Sequence, residues 1–157
     1  MLTVNPFYRD VAAPIVLKGD NPRSPENFAM VRGFAARLTP DNVAEDAQAF
    51  VTFLDKKKAV SRSRNMGVTG YCMGGALVLR SAAASSRIGA GVTFHAGPLV
   101  TEAPDSPHLL LSKTKAAFHI ATAKNDDEAR PLEKDQLAST FKAAGLTGDV
   151  EVYPAMH

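Results

Sequence analysis

The sequence has 157 residues, with 18 Lys and Arg against 16 Asp and Glu, 45% hydrophobic residues and a mean hydropathy of −0.09. This length and composition predict a single globular domain over residues 1–157, and the net charge of +2 excludes a dedicated nucleic-acid surface. A membrane span, a disulfide framework and a zinc site of several thiolates are also excluded, because no apolar run reaches about 20 residues and only one cysteine is present. No secretory signal is visible, so we expect a cytoplasmic protein.

The first third of the chain predicts mostly helix. Residues 1–5 have the pattern of a strand end, and three prolines and a glycine indicate a loop over 11–25. Apolar residues then recur at helical spacing over 28–38. A second helix is predicted over 40–54, because Thr39 offers a capping hydroxyl directly before a proline.

From residue 65 onward, β-prone segments alternate with helical ones. This alternation is typical of βα units and of a mainly parallel sheet, so we predict the α/β fold class. The predicted strands are 65–71, 89–95, 118–122 and 150–153, and the helices between them are 76–85 and 132–144.

The single cysteine stands between the first of these strands and the helix that follows. Residues 70–74, Gly-Tyr-Cys-Met-Gly, have the spacing of the nucleophile elbow G-x-S-x-G with cysteine in place of serine, and the two glycines leave room for a sharp turn. Random placement would put glycine at both positions in only about 0.5% of cases. The turn places Cys72 at a helix N-terminus, which favours the thiolate, and directs the Met73 backbone N–H toward an oxyanion. We interpret Cys72 as a nucleophile, and a buried structural cysteine is the alternative.

A nucleophile of this kind needs a base and an acid that orients the base, and in this fold class both follow strands. Of the four histidines only His157 follows the last strand, whereas His119 lies inside a strand and fits a core or sheet-face position. The acid is expected after the strand 118–122, where Asp126 and Asp127 are adjacent. Chain order does not choose between the two, and a solvated turn is the alternative to a catalytic acid.

Several ordered segments of the chain resemble the dienelactone hydrolase family, whose members have the α/β-hydrolase fold and a Cys-His-Asp triad. The resemblance implies that Cys72 is the nucleophile and His157 the base. It assigns the acid to Asp126, because Ala-Lys-Asn-Asp over 123–126 fits the family's Gly/Ala-x-x-Asp stretch. Arg9 falls near a family arginine that holds a substrate carboxylate, which implies an anionic substrate. The segments that resemble the family are 5–9, 70–75, 94–97, 125–127 and 153–157.

The resemblance also implies that the chain is a partial domain. The family has a section before the segment 5–9, which donates the second oxyanion N–H, and a helix after the histidine. The predicted activity is hydrolysis of small lactones or esters through a thioester, with no metal, organic cofactor, nucleic acid or membrane involved. The alternatives are a catalytically incompetent truncated hydrolase and a redox-reactive thiol protein, since an activated cysteine also oxidises readily.

Overall fold

The computed structural model describes residues 1–156, and the chain divides into two compact units, Met1–Asn42 and Val43–His157. The first unit is largely irregular apart from its helices, and the second contains a β-sheet with helices packed on it. Within the described residues, no helix combines the length and the apolar character that crossing a bilayer requires.

Helix α1 in the first unit comprises Pro25–Ala35. Ser24 caps it, because its hydroxyl oxygen accepts a hydrogen bond from the Asn27 N–H at 3.2 Å, and proline occupies the first helical position. The loop predicted over 11–25 and the helix predicted after it are therefore confirmed, although the helix ends three residues earlier than the predicted boundary at 38.

The strand end predicted over residues 1–5 is wrong. These residues have no regular structure and are mostly exposed, and the strands of the sheet come from other segments. A short extended segment without a neighbouring strand has no ladder of hydrogen bonds to hold it in a sheet.

The second unit is organised around a four-stranded parallel sheet whose strand order, β1-β2-β3-β4, is also the order in the chain. Its strands agree with the predicted segments to within two residues at each end, and the predicted α/β class is confirmed. The strands are β1 Met66–Tyr71, β2 Ile88–Phe94, β3 Ala117–Ala123 and β4 Gly148–Tyr153. The remaining helices are α2 Pro40–Asp55, α3 Gly74–Ala84, α4 Lys124–Ala129 and α5 Glu133–Ala144.

The core of the second unit lies on one face of this sheet, where α3 contacts β1 and β2 and α5 contacts β4. Leu79 of α3, Ile120 of β3 and Leu137 of α5 are all fully buried. The rings of Phe118 and Phe141 stack with their centroids 5.7 Å apart. Burial of these side chains stabilises the unit and fixes the carboxyl ends of the strands relative to the helices.

Two short helical segments differ from the sequence prediction. Residues 124–129, where a solvated turn is the alternative to a catalytic acid, form α4, and residues 107–113, for which no element is predicted, form a 3₁₀ helix with Pro107 in its first turn. Each contains six or seven residues. That length is too short for a helical period to show in the pattern of apolar residues.

Candidate active site

Cys72 occupies the turn between β1 and α3, with an exposed side chain and a φ of 51°. Non-glycine residues rarely adopt this left-handed conformation, and here three backbone hydrogen bonds hold it. The Cys72 N–H donates to the Phe94 carbonyl at 3.0 Å, and the Cys72 carbonyl accepts from the N–H groups of Gly75 and Gly97, each at 3.1 Å. The strand–turn–helix context expected of a nucleophile elbow is therefore present.

Glycine is required on both sides of this turn, but not at both predicted positions. A Cβ at Gly70 would lie 2.6 Å from the Gly74 carbonyl carbon and 2.8 Å from Val78 Cγ2. A Cβ at Gly74 would meet no atom within 4 Å, whereas one at Gly75 would overlap the Cβ of Ala96. The steric reason for glycine is thus valid at Gly70, and on the helix side it applies to Gly75 instead of Gly74.

Met73, the predicted oxyanion donor, is the N-terminal cap of α3, with φ −52° and ψ −30°. The N–H groups in the first turn of a helix have no partner within the helix and carry the positive end of its dipole. The Met73 N–H thus belongs to a helix end that favours negative charge.

The structure places the two adjacent aspartates in different surroundings. The Asp126 side chain is buried, 3.7 Å from an Arg130 guanidinium nitrogen. Asp127 accepts hydrogen bonds from the Lys134 ammonium on both carboxylate oxygens, each at 2.8 Å, and this bond raises the pKa of Lys134 above its usual 10.5. Asp127 therefore forms a separate ion pair, and Asp126 is the better candidate for the acid.

The predicted base, His157, lies outside the described residues. The chain shortly before it contacts α4, because the Ala155 carbonyl accepts a hydrogen bond from the Lys124 N–H at 3.0 Å. Lys124 is the first residue of α4, the helix that carries Asp126. The segment two residues before His157 therefore lies beside the start of that helix.

Arg9, the predicted substrate-binding residue, belongs to the first unit. Its side chain is exposed, and its guanidinium carbon lies 5.4 Å from the centroid of the Tyr8 ring. This stacking is a cation–π contact within the first unit and leaves the proposed role of Arg9 untested.

Three donor groups on the open face of the sheet lie close enough together to bind a divalent cation. One ligand atom each from His119, Asp149 and Glu151 falls within 4.8 Å of the others. The His119 Nδ1 is hydrogen-bonded to Asp149 at 2.7 Å, and Glu151 accepts from the Tyr153 hydroxyl at 2.8 Å, which raises the pKa of that phenol. His119 thus lies at the sheet face, and each of the three donor groups already has a hydrogen-bond partner.

One surface cavity lies away from the elbow. It has a volume of about 380 Å³ and forms between the segment after β2 and helix α5. Neither Cys72 nor Asp126 lines it, so this cavity is separate from the candidate catalytic residues. Its lining residues are Val100, His108, Leu132, Asp135, Gln136, Ser139 and Thr140.

The sequence analysis did not identify two charged residues that follow Asp126 in the chain. They are Arg130 and Glu133. Both are largely buried, with side chains 25% and 12% exposed, which is low for charged groups. The four-residue spacing between Asp126 and Arg130 indicates a pair on one helix face, but this signal requires a helix where the sequence predicts a loop.

A model of the dienelactone hydrolase family matches residues 7–157. No curated protein sequence matches the chain. A candidate dienelactone hydrolase from Klebsiella pneumoniae superimposes with a TM-score of 0.71 at 16% identity, covering 94% of this chain and 59% of its own. A dienelactone hydrolase-like promiscuous phosphotriesterase from metagenomic libraries gives 0.63 at 20% identity, covering 83% and 51%. The acylaminoacyl peptidase of Pyrococcus horikoshii gives 0.60 at 17% identity, covering 78% and 25%. The chain thus spans at most three fifths of each of these proteins.

Proposed function

The chain belongs to the dienelactone hydrolase family, and we propose on that premise that it hydrolyses small lactones or carboxylic esters with Cys72 as nucleophile, His157 as base and Asp126 as acid. The observation that carries the proposal is the elbow, where an exposed Cys72 is held at a φ of 51° directly before α3. The buried Asp126, on the helix after β3, supports it.

In the first half of the proposed reaction the enzyme is acylated. His157 accepts the thiol proton, and the Cys72 sulfur attacks the carbonyl carbon of the substrate to form a tetrahedral oxyanion. The oxyanion collapses, the carbon–oxygen bond to the leaving alkoxide breaks, and the imidazolium returns the proton to that alkoxide. In a lactone the released alcohol remains attached to the acyl group.

In the second half water removes the acyl group. His157 accepts a proton from water, and the hydroxide attacks the thioester carbonyl. The tetrahedral intermediate expels the Cys72 sulfur, which takes the proton back from the imidazolium as the carboxylic acid is released. Asp126 stabilises the imidazolium formed in each half and holds the ring in the productive orientation. The proposed oxyanion donor is the Met73 N–H at the positive end of α3, where the donor needs no reorganisation during the reaction.

The nucleophile is tested with p-nitrophenyl acetate and a small unsubstituted lactone as substrates for the wild type, Cys72→Ala and Cys72→Ser. We expect Cys72→Ala to reduce hydrolysis to the buffer rate and Cys72→Ser to retain a small fraction of activity. Because the chain has a single cysteine, mass spectrometry of the quenched reaction can locate the acyl group on one sulfur. Equal rates for the wild type and Cys72→Ala would contradict the proposal.

The preference for an anionic substrate depends on Arg9 and on the family resemblance alone. We expect Arg9→Gln to raise KM for an ester that carries a carboxylate and to leave KM for a neutral ester of the same size unchanged. Equal effects on the two esters would remove Arg9 from substrate binding. The cytoplasmic location likewise stays a prediction.

The exposure of Cys72 supports one second candidate, a redox-reactive thiol. For this candidate we expect that peroxide oxidises Cys72 rapidly and that the protein hydrolyses no ester. Ester hydrolysis that is lost on peroxide treatment and restored by dithiothreitol would instead support the hydrolase.

A further inference from the structure

The side chain of Arg130 connects the helix of the proposed acid with the segment that follows β2. One of its terminal nitrogens donates to the Ala96 carbonyl at 3.0 Å and lies 3.7 Å from the nearer Asp126 oxygen. Its Nε donates to Glu133 Oε2 at 2.9 Å. The planar guanidinium group thereby contacts three partners at once, which a lysine ammonium on a flexible stem cannot do in the same geometry.

Glu133 extends this connection along the same segment. Its Oε1 accepts hydrogen bonds from the backbone N–H groups of Leu99 at 2.6 Å and Val100 at 3.0 Å. The Gly97 N–H, in the middle of the segment, donates to the Cys72 carbonyl at 3.1 Å. A continuous chain of polar contacts therefore runs from Asp126 through Arg130 and the segment 96–100 to the elbow.

We propose that Arg130, held by Glu133, is a positioning residue that fixes the Asp126 carboxylate relative to the Cys72 elbow. This inference rests on the proposed function. A triad works only if the acid, the imidazole and the nucleophile keep their separations, and a displacement of about 1 Å can cost about a hundredfold in rate. Arg130 and Glu133 are charge-assisted partners in a largely buried position, where such bonds are strong and directional.

The neighbouring ion pair offers a matched control. Lys134 bonds to Asp127 with the same type of charge and connects the same two helices, α4 and α5. Its ammonium donates to the two Asp127 oxygens, and these hydrogen bonds do not reach the segment 96–100. Loss of Lys134 therefore removes a cation of comparable exposure without disturbing the contacts between Asp126 and the elbow.

The test is a double-mutant cycle on ester hydrolysis, with Arg130→Gln made in the wild type and in Asp126→Asn, and with Lys134→Gln as control. We expect Arg130→Gln to lower kcat by about tenfold to a hundredfold with KM little changed, and Lys134→Gln to leave both parameters unchanged. In the Asp126→Asn background Arg130→Gln should cost no further activity, because the residue acts through Asp126. Arg130→Lys should recover part of the lost kcat, and thermal unfolding verifies that each variant is folded at the assay temperature.

The outcomes separate the positioning role from the proposed function. An active wild type in which Arg130→Gln behaves like Lys134→Gln, or loses the same factor in both backgrounds, overturns the positioning role and leaves the hydrolase proposal intact. Wild-type rates equal to those of Cys72→Ala overturn both proposals. Asp126→Asn with wild-type activity overturns the acid assignment and, with it, the role of Arg130.

Discussion

At the scale of single residues, the site depends on differences that the sequence pattern cannot show. Asp126 and Asp127 are chemically identical neighbours, yet the first is buried beside Arg130 and the second bonds to Lys134. Their surroundings differ because successive side chains of a helix point about 100° apart. Asp126 therefore faces the protein interior, and Asp127 faces α5. The same helix thus supplies one residue to the proposed site and another to an ion pair.

The assignment of the acid leads to a direct prediction. Asp126→Asn should lower kcat by about 10²–10⁴, since the equivalent change in a serine-protease triad costs about 10⁴ by stabilising the wrong histidine tautomer. Asp127→Asn removes a carboxylate of the same chemistry one position away and should leave kcat within about twofold of the wild type. Steady-state ester hydrolysis measures both, and a larger loss from Asp127→Asn would reverse the assignment.

The glycines of the elbow predict a contrast in stability. Gly75→Ala should destabilise the chain by about 1–3 kcal/mol, because its Cβ would overlap that of Ala96 and neither backbone can move away freely. Gly74→Ala adds the same methyl group where no atom lies within 4 Å, so its free energy of unfolding should stay within about 1 kcal/mol of the wild type. Urea denaturation measures both values, and equal losses would show that the space at Gly75 can open.

A site residue could be identified from the sequence when its defining interactions are with residues close to it in the chain. It could not be identified when those interactions are with distant residues. Cys72 was identifiable because the elbow is a local motif whose glycines and flanking elements lie within a few residues. Arg130 and Glu133 were not, since their partners at Ala96 and Leu99 are more than 30 residues away. Contacts of this kind become visible only when the strands that bring them together are in place.

At the scale of elements, the side chain of one arginine connects the end of α2 with the start of β2. Arg87 forms two hydrogen bonds with the Asp55 carboxylate, at 2.6 and 3.2 Å, and also donates to the backbone carbonyls of Ser61 and Arg64. Asp55 is the last residue of α2, and Arg87 directly precedes β2. The contact with Arg87, mainly its hydrogen bond, lowers the pKa of Asp55 below its usual 3.8.

The lowered pKa of Asp55 predicts how stability depends on pH. A carboxyl whose pKa is lower in the folded state stabilises that state above the unfolded-state value and loses the effect as pH falls through the folded-state value. We expect Asp55→Asn to lower the Tm at pH 7 and the difference from the wild type to shrink below about pH 4. Differential scanning calorimetry across pH measures the difference.

A second carboxylate provides the control for this experiment. Glu128 forms an exposed ion pair with Lys124 at 3.8 Å, a single contact with both side chains more than half exposed. Glu128→Gln should change the Tm little at any pH, because exposed pairs of this kind contribute only about 0–1 kcal/mol. A pH-independent loss in Asp55→Asn would show that packing, and not charge, accounts for its effect.

The elements themselves were predictable to different degrees. All four strands and helices α2, α3 and α5 follow from the pattern of apolar residues, since each is long enough to bury a defined face. Helix α4 and the 3₁₀ helix after β2 are short and are held by tertiary contacts, such as the bond from the Lys124 N–H to the Ala155 carbonyl. Propensity over six or seven residues is too weak to indicate them.

At the scale of the whole molecule, burial is distributed unevenly between the two units. In residues 1–42 only Phe7 and Asn27 are buried, whereas the second unit has a contiguous cluster of 12 buried hydrophobic residues. A segment of about 40 residues with so small a core has little stability of its own. We therefore expect the free energy of local opening to be lower in the first unit than in the second.

Native-state hydrogen exchange tests this difference. Backbone amides of β2 and β3 should exchange most slowly, close to the rate set by global unfolding, because both strands are paired on each side. Amides of α1 should exchange at least about tenfold faster, through local opening. Mass spectrometry of peptic peptides measures both, and equal protection of α1 and the central strands would contradict the expectation.

The strand order also has a consequence for how the sheet is assembled. Because β1, β2, β3 and β4 are neighbours in the same sequence in which a ribosome makes them, each strand emerges after its partner and pairs with residues about 20 to 30 positions earlier. None of these four strands is inserted between two strands that precede it in the chain. These four strands can therefore pair in the order in which they are synthesised, from β1 toward β4, without reopening a ladder that has already formed.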